Sequence, residues 1–291
     1  IALLNDKARR ILRLIFRTTM SANRPFGRFV SPEHSEAARK IAQEGVVLLK
    51  NEHQFFPIPV DKYKKIAVIG ENASRSLVIG GGSSSLKVAY EHSPLEGLTA
   101  KYGKDHVVYS LGYASGPSLY GREEPSKLNV DSLLTAAIEV AKDADIVFFI
   151  GGLNKNHFQD CEGGDRQSLS LPFGQDKLID ALLKVNKNTA VLLLSGNAVS
   201  MPWINKVPAI MQAWYLGSEA GNALADIISG EVNPSGKLPF SFPKKLEDNA
   251  AHFYGKISYP GDSVNQFYKE DILVGYRWFD TKKITPLFPF G

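Results

Sequence analysis

Three carboxyl groups and one arginine occur close together in residues 153–172 (the acidic loop) and could do proton chemistry. They belong to Asp160, Glu162, Asp165 and Arg166. Carboxyl groups donate or accept protons in catalysis when their surroundings match their pKa to the reaction. The glycines at 163 and 164 allow close backbone approach and keep side-chain bulk away from the carboxylate. A solvated acidic loop is the alternative that composition alone leaves open.

The segment before the acidic loop predicts where this loop lies in the fold. Residues 145–150 read Asp-Ile-Val-Phe-Phe-Ile, which is too apolar for a half-exposed strand and typical of a central strand in a parallel sheet. Gly151 and Gly152 then release the chain into the loop. Ligands of open α/β sheets bind beyond the carboxyl ends of the strands. We therefore expect the acidic loop at the ligand-binding edge of a sheet.

Apolar runs and helical patterns alternate along the chain and predict the fold class. Four runs predict buried parallel strands that lie side by side, at 65–70, 145–150, 189–194 and 210–214. A further strand is predicted at 106–111, and Pro239 and Pro243 favour an edge strand over 238–242. Helical periodicity predicts helices at 94–102, 130–141, 177–185 and 219–229. The alternation indicates an α/β fold with a doubly wound, mostly parallel sheet and helices on both faces.

A glycine- and serine-rich loop follows the first of these strands. It reads Gly-Gly-Gly-Ser-Ser-Ser at 80–85. The sequence has neither G-x-G-x-x-G at the strand-helix junction nor G-x-x-x-x-G-K-[ST], which argues against a phosphate cradle and a nucleotide-dependent enzyme. Small residues with hydroxyl groups suit close approach to a neutral polyol instead. A flexible surface loop is the other interpretation.

Composition bears on core size, nucleic-acid binding, membrane spans and metal sites. The chain has 291 residues with 44% hydrophobic content, enough for one large α/β core. The net charge of +4 comes from 34 basic and 30 acidic residues spread along the chain, which gives little support to nucleic-acid binding. No apolar run approaches the ~18 residues of a membrane span. The one cysteine, Cys161, allows no disulfide and no paired-cysteine metal site, and we expect no metal ion or cofactor.

The acidic loop resembles the signature of a known family. Glu162-Gly-Gly-Asp-Arg166, followed by Leu-Ser-Leu-Pro at 169–172, is similar to the Glu-Gly-x-Asp-Arg motif in the second domain of family 3 glycoside hydrolases, the β-glucosidases and β-xylosidases. Further stretches resemble the family in the same order along the chain, at 45–51, 80–85, 214–226, 233–239 and 274–280. The resemblance covers nearly the whole chain and implies the α/β sandwich of that domain.

The resemblance also implies roles for individual residues. Glu162 would be the general acid/base, since retention of configuration needs one carboxyl that protonates the leaving oxygen and another about 5–5.5 Å away that attacks the anomeric carbon. Ser83 or Ser84 would contact the ring hydroxyls of the sugar. From their position three and four residues after Glu162, and not from the resemblance, Asp165 and Arg166 are expected to orient the loop through an ion pair.

The second carboxylate of the mechanism is not expected in this chain. In the family the nucleophile is an aspartate of a Ser-Asp-Trp-type motif on a preceding (β/α)8 barrel, and these residues contain no Ser-Asp-Trp. Asp160 is a rival to Glu162 on spacing alone, but the family pattern selects Glu162. We expect the chain to be the acid/base half of a split active site and to turn nothing over by itself.

The resemblance divides the chain into three parts. Residues 1–31 are expected to form a helix and linker leading from the barrel, 32–243 the sandwich, and 244–291 a loop-rich segment that packs on the sandwich and stops within a family motif. Both ends look cut, so we expect a fragment of a longer protein. Taken alone, the helix predicted at the start of the chain could lie on a membrane surface, because arginines flank its apolar stripe. A helix that packs its apolar face on a protein domain is the commoner case.

These features indicate retaining, exo-acting β-glycoside hydrolysis by the full-length protein. The expected substrate is a β-glucoside or oligosaccharide with a terminal β-D-glucosyl residue, and the expected partner is the barrel of the same protein. A β-xylosidase of the same family and a non-catalytic carbohydrate-binding domain are the alternatives. No segment of the sequence indicates a cellular location, and for a full-length member of the family we expect the periplasm or secretion.

Overall fold

A computed structural model describes the protein over residues 1–20, 23, 26–75, 77–78, 86–117, 119, 121–156 and 158–291. The chain divides into two compact units, residues 1–35 and 36–291. The first unit contains helix α1 (Ala2–Thr18), which confirms the helix predicted from the apolar stripe. The second unit contains the sheet. Among the described helices, none combines the length and apolar character that a bilayer crossing requires.

The described part of the chain forms one sheet of six strands. They are β1 (Val47–Asn51), β2 (Ile66–Ile69), β3 (Val107–Ser110), β4 (Ile146–Gly152), β5 (Thr189–Leu194) and β6 (Ala209–Gln212). Their order is β1-β6-β5-β4-β2-β3. Strands β2 to β6 are parallel, and β1 pairs antiparallel with β6. The predicted doubly wound, mostly parallel sheet is confirmed, with the four apolar runs side by side.

Helices cover both faces of the sheet. Those of the second unit are α2 (Pro32–Gly45, which begins in the first), α3 (Pro94–Tyr102), α4 (Val130–Lys142), α5 (Gln175–Val185), α6 (Ala220–Ser229), α7 (Ala250–Phe253) and α8 (Tyr276–Lys282). Because side chains alternate along a strand, β4 contributes to two cores. Val147 and Phe149 pack with residues of α4 and α5, whereas Ile146 and Phe148 pack with residues of α3 and α6.

Local sequence signals start these helices. At α3, Ser93 Oγ accepts a hydrogen bond from Glu96 N over 3.3 Å, while the Glu96 carboxylate accepts one from Ser93 N over 2.8 Å. This reciprocal cap satisfies two backbone donors that a helix leaves unpaired. At α4, Asn129 Oδ1 accepts a hydrogen bond from Ser132 N over 2.8 Å. Both helices begin at the residues that the helical periodicity of the sequence predicts.

The C-terminal part of the chain corrects one prediction. The edge strand expected at 238–242 is wrong, since only Phe242 pairs there, in a single antiparallel bridge with Phe288. Pro239 and Pro243 have no N–H, so they cannot extend the ladder. Strand β1 is the antiparallel edge strand instead. Further on, Trp278 is fully buried and packs with its neighbours, whereas Tyr268 is 75% exposed.

Candidate active site

The acidic loop leaves the sheet at the point where the order of successive strands reverses. From β2 the chain goes outward to β3, returns to β4 on the other side of β2 and continues to β5 and β6. Because β2 and β4 are parallel neighbours, the loops that follow them leave from the same edge of the sheet. Asn72, after β2, donates a hydrogen bond to the carbonyl of Leu153, after β4, over 2.8 Å. Open α/β sheets bind their ligands at such a switch point.

A buried glutamine holds the end of β4. Gly152 has a φ of +124°, and a Cβ added there would overlap the carbonyl group of Leu194 on β5, so only glycine fits. The side-chain amide of Gln175 accepts a hydrogen bond from Gly152 N and donates one to Gly152 O, each over 2.8 Å. Gln175 is itself fully buried. Both polar backbone groups of Gly152 are thereby satisfied, and the acidic loop starts in one defined direction.

Asp160 anchors the middle of the acidic loop. Its carboxylate accepts hydrogen bonds from Gly196 N over 2.5 Å, from Asn197 Nδ2 over 2.7 Å and from the Tyr215 hydroxyl over 2.7 Å. The ammonium group of Lys155 lies 3.7 Å from the centre of the Tyr215 ring. Charged acceptors form the stronger hydrogen bonds of proteins, so three donors on one carboxylate tie the loop firmly. This geometry suits an anchor better than a proton donor.

Burial shifts the proton affinities of the groups around Asp160. It raises the pKa of Tyr215 well above its usual value, and the negative charge of Asp160 raises it further. Burial lowers the pKa of Lys155 and that of Arg166, and in both cases Asp160 acts in the opposite direction. The Tyr215 hydroxyl therefore stays protonated and remains a donor to Asp160 throughout the physiological pH range.

Asp165 and Arg166 hold the loop through separate partners. Arg166 Nη2 donates a hydrogen bond to the carbonyl of Ala198 over 2.7 Å, and the Asp165 carboxylate accepts one from the Tyr259 hydroxyl. The ion pair expected between Asp165 and Arg166 is not among the ion pairs of the described residues. The reason is orientation, since Asp165 is exposed while Arg166 is half-buried against the loop after β5.

Glu162 lies between these anchors. Its side chain is exposed, whereas Asp160 before it and Arg166 after it are half-buried. Gly163 has a φ of +80°, which turns the chain directly after the glutamate. Glu162 and Asp165 are thus the exposed carboxyl groups of the loop, and Asp160 and Arg166 hold its backbone on either side of Glu162. Ser83 and Ser84 lie outside the described residues.

A polar cavity of about 320 Å³ lies between the acidic loop and the C-terminal segment. Its lining includes Arg166, Asn197, Ser241, His252 and Tyr259. In the described chain no three His, Cys, Asp or Glu side chains are arranged to hold a metal ion. The acidic loop offers carboxyl groups that can donate and accept protons.

Several residues that position the loop escape sequence reasoning. Gln175 lies 23 positions after the Gly152 that it holds, and Tyr259 lies 94 positions after Asp165, and no local pattern joins either pair. Tyr215 lies within the similar stretch 214–226, which marks its segment but not its bond to Asp160. Asn154 and Asn156 follow a buried strand directly, and short polar residues at that position are the signal that could have drawn attention to them.

The chain is similar in sequence to a family of known proteins. The family model described as Glycosyl hydrolase family 3 C-terminal domain matches residues 46–276. The protein named Beta-glucosidase BoGH3A of Bacteroides ovatus is 61% identical over 99% of this chain and 39% of its own length. Thermostable beta-glucosidase B of Acetivibrio thermocellus is 37% identical over 99% of this chain and 36% of its own.

A solved structure agrees with the sequence comparisons. The GH3 beta-glucosidase of Bifidobacterium adolescentis superposes with a TM-score of 0.82 and 33% identity, over 96% of this chain and 38% of that protein. The chain thus spans less than two fifths of the length of the two curated relatives named above. The matched family segment, 46–276, contains β1 to β6 and the acidic loop. The chain therefore belongs to glycosyl hydrolase family 3, as a C-terminal domain of that family.

Proposed function

We propose that this chain carries the general acid/base of a retaining, exo-acting β-glucosidase. One observation supports the proposal most strongly. Glu162 is an exposed carboxyl on a loop that Asp160 and Arg166 anchor to the segments after β5 and β6. The loop also follows β4 at the switch point of the sheet, where ligands bind. An exposed carboxyl on an anchored backbone at a ligand-binding edge suits general acid catalysis.

The proposed reaction needs a second carboxylate. Glu162 protonates the glycosidic oxygen while an aspartate on a preceding (β/α)8 barrel of the longer protein attacks the anomeric carbon. Water then hydrolyses the glycosyl-enzyme, with Glu162 acting as the base that takes the proton of this water. Closure of the barrel over the exposed Glu162 would remove water from the carboxyl and raise its pKa, which lets it hold a proton near neutrality.

The proposed substrate is a β-glucoside or oligosaccharide with a terminal β-D-glucosyl residue. The relatives with 61% and 37% identity are named β-glucosidases, which favours a glucoside over the xyloside alternative. Ser83 and Ser84 are proposed to contact the ring hydroxyls of this sugar. A purely carbohydrate-binding role is the weaker proposal, because it gives no reason for an anchored loop that presents a carboxyl outward.

The parts of the chain have proposed roles in the longer protein. Residues 1–31 lead from the barrel, 32–243 form the sandwich that carries the acid/base loop, and 244–291 pack on this sandwich. The bond from Tyr259 to Asp165 and the bridge between Phe242 and Phe288 support the last assignment, since both join the C-terminal segment to earlier parts of the second unit.

A leaving-group comparison in the intact protein tests the proposal. Alkyl and sugar leaving groups need protonation, whereas dinitrophenolate departs as an anion, so Glu162→Ala should lower kcat/KM by ~10²–10⁴-fold for a disaccharide and far less for the dinitrophenyl β-glucoside. Glu139→Ala on the exposed face of α4 is the control and should behave like the parent protein.

Azide provides a second readout of the same variant. Hydrolysis of the glycosyl-enzyme also uses Glu162 as base. The Glu162→Ala protein should therefore hydrolyse its glycosyl-enzyme slowly, whichever glucoside formed it. Azide is a nucleophile that needs no base, and it should restore turnover of the dinitrophenyl glucoside and yield β-glucosyl azide. Normal rates on the disaccharide, or no response to azide, would show that Glu162 is not the acid/base.

A further inference from the structure

Arg75 joins three strand ends at the switch point of the sheet. It lies six residues after the end of β2, and its guanidinium contacts residues that follow β3 and β4. Nη2 donates a hydrogen bond to Asn156 Oδ1 over 2.8 Å, and Nη1 donates to Ser115 Oγ and, over 3.2 Å, to the carbonyl of Gly116. Such a planar, forked donor can hold several acceptors in one geometry, which a lysine cannot.

Glu71 completes this cluster. Its carboxylate lies 3.3 Å from Arg75 Nη1 and also accepts a hydrogen bond from Ser115 N over 3.1 Å. Both side chains of the pair are only 15% exposed, so solvent screens their attraction less than at an open surface. Asn156 in turn donates from Nδ2 to the carbonyl of Ser115 over 3.1 Å. The contacts form a closed ring of hydrogen bonds around the guanidinium.

The cluster connects directly to the backbone that leads to Glu162. The carbonyl of Asn156 accepts a hydrogen bond from Gln159 N over 3.0 Å, and the carbonyl of Asn154 accepts one from Asp160 N over 3.0 Å. Asn154 Oδ1 also accepts from Asn156 N over 2.8 Å. Hydrogen bonds therefore connect Asn156 with Asp160, which lies two residues before Glu162.

Hydrogen bonds fix the side chain of Asn156, which is 6% exposed. Its Oδ1 accepts a hydrogen bond from Arg75 Nη2, and its Nδ2 donates one to the carbonyl of Ser115. Arg75 also donates to Ser115 Oγ, so it holds Asn156 directly and through Ser115. Loss of Arg75 removes the direct contact and one contact that fixes Ser115.

We propose that Arg75 is a positioning residue for the acid/base carboxyl, acting through Asn156 on the backbone before Glu162. The inference rests on the proposed function of Glu162 and goes beyond it, because it assigns the placement of that carboxyl to a residue on a different loop. A misplacement of about 1 Å at a reacting group can lower a rate by roughly 10²-fold. Loss of Arg75 should therefore weaken proton donation while the remaining chemistry persists.

The test compares leaving groups in the intact protein. Arg75→Met should lower kcat/KM for a disaccharide about 10- to 100-fold and change kcat/KM for the dinitrophenyl β-glucoside less than about 3-fold. Arg75→Lys keeps the positive charge beside Glu71 but not the forked guanidinium donor. Its decrease in kcat/KM for the disaccharide should therefore be intermediate. Arg122→Met is the matched control, since Arg122 is an exposed arginine in a neighbouring loop. It should match the parent protein on both substrates.

Hydrogen–deuterium exchange supplies a readout independent of activity. In the intact Arg75→Met protein, amides of residues 153–166 should exchange faster while those of α5 stay unchanged. Equal losses on both glucosides, or unchanged exchange in 153–166, would overturn the inference, because either result reduces Arg75 to a general stabiliser. If Arg75→Met does not fold, Asn156→Ala removes the same link and must show the same leaving-group dependence.

Glu162→Ala measured in parallel separates this inference from the proposed function. If Glu162→Ala discriminates between the two leaving groups and Arg75→Met does not, the positioning role alone is wrong. If Glu162→Ala itself shows no discrimination, the proposed acid/base is wrong, and the positioning role is overturned with it.

Discussion

The Tyr215 hydroxyl donates a hydrogen bond to the Asp160 carboxylate over 2.7 Å. Tyr215 follows β6 and Asp160 follows β4, and the other donors to this carboxylate, Gly196 N and Asn197 Nδ2, follow β5. One side chain thus joins the carboxyl ends of three neighbouring strands. Because parallel strands end at one edge of the sheet, residues more than fifty positions apart in sequence meet there.

Replacing the anchor should destabilise the domain. Asp160→Ala leaves the half-buried Tyr215 hydroxyl and two further donors without their acceptor, and an unpaired buried polar group costs about 1–3 kcal/mol. We expect the free energy of unfolding of the 291-residue chain to fall by about 2–3 kcal/mol in urea titrations followed by circular dichroism. Tyr215→Phe should cost less, about 1 kcal/mol, since the carboxylate keeps two donors. A wild-type midpoint for Asp160→Ala would contradict the anchoring role.

A second carboxylate, that of Asp226, ties three helices together. It is 1% exposed and accepts hydrogen bonds from Arg39 Nε over 2.7 Å, Gln43 Nε2 over 2.7 Å and Lys101 Nζ over 2.9 Å. Burial by itself raises the pKa of Asp226, but the hydrogen bonds from Lys101, Arg39 and Gln43 outweigh it, so the pKa lies below its usual value.

The depressed pKa of Asp226 predicts a pH dependence of stability. A carboxyl with a lower pKa in the folded chain stabilises it above the unfolded pKa of about 3.9, and this stabilisation is lost as pH falls through the folded value. Asp226→Ala should cost about 2–3 kcal/mol at pH 7, because the half-buried Arg39 and Lys101 lose their shared acceptor, although Lys101 keeps its ion pair with Glu231. In urea titrations at several pH values, the difference from the parent chain should shrink below about pH 4. A difference that is constant down to pH 2 would be inconsistent with this account.

Glycines set the distance between α3 and α6. A Cβ added to Gly97 would overlap the carbonyl group of Gly221 on α6, so Gly97→Ala forces the two helices apart. Overpacking of this kind costs about 1–3 kcal/mol, measurable as a lower midpoint in thermal or urea unfolding. Gly45→Ala is the matched control, because nothing lies within 4 Å of the added Cβ. It should be neutral or slightly stabilising, and equal effects of the two substitutions would argue against close helix packing.

The 291-residue chain by itself should not hydrolyse β-glucosides. The proposal places the nucleophile on another domain, and proton donation alone does not form the glycosyl-enzyme. Pure chain incubated with an aryl β-glucoside should release aryl alcohol at the rate of the buffer. Turnover that Glu162→Ala abolishes would show that the chain contains its own nucleophile.

The fold was largely predictable because burial leaves a direct trace in composition. Residues 145–150 and 189–194 are covered on both faces, so they are continuously apolar, and this pattern identifies central parallel strands without knowledge of their neighbours. The stretch 238–242 shows where the pattern fails. It is apolar and flanked by prolines like an edge strand, yet Phe242 is buried by Phe288, a partner far along the chain. Apolar character reports burial, not the kind of partner.

For the candidate site, the sequence by itself determined the acidic loop, its place after a buried strand and the Glu162 motif, because these are properties of adjacent residues. The tertiary structure decided the roles within the loop. Asp165 and Arg166 are neighbours in sequence and point to different partners, whereas Arg75 and Asn156 are 81 residues apart and form one hydrogen bond. Parallel strands bring distant loops to one edge, and hydrogen bonds across that edge have no periodicity that a sequence can display.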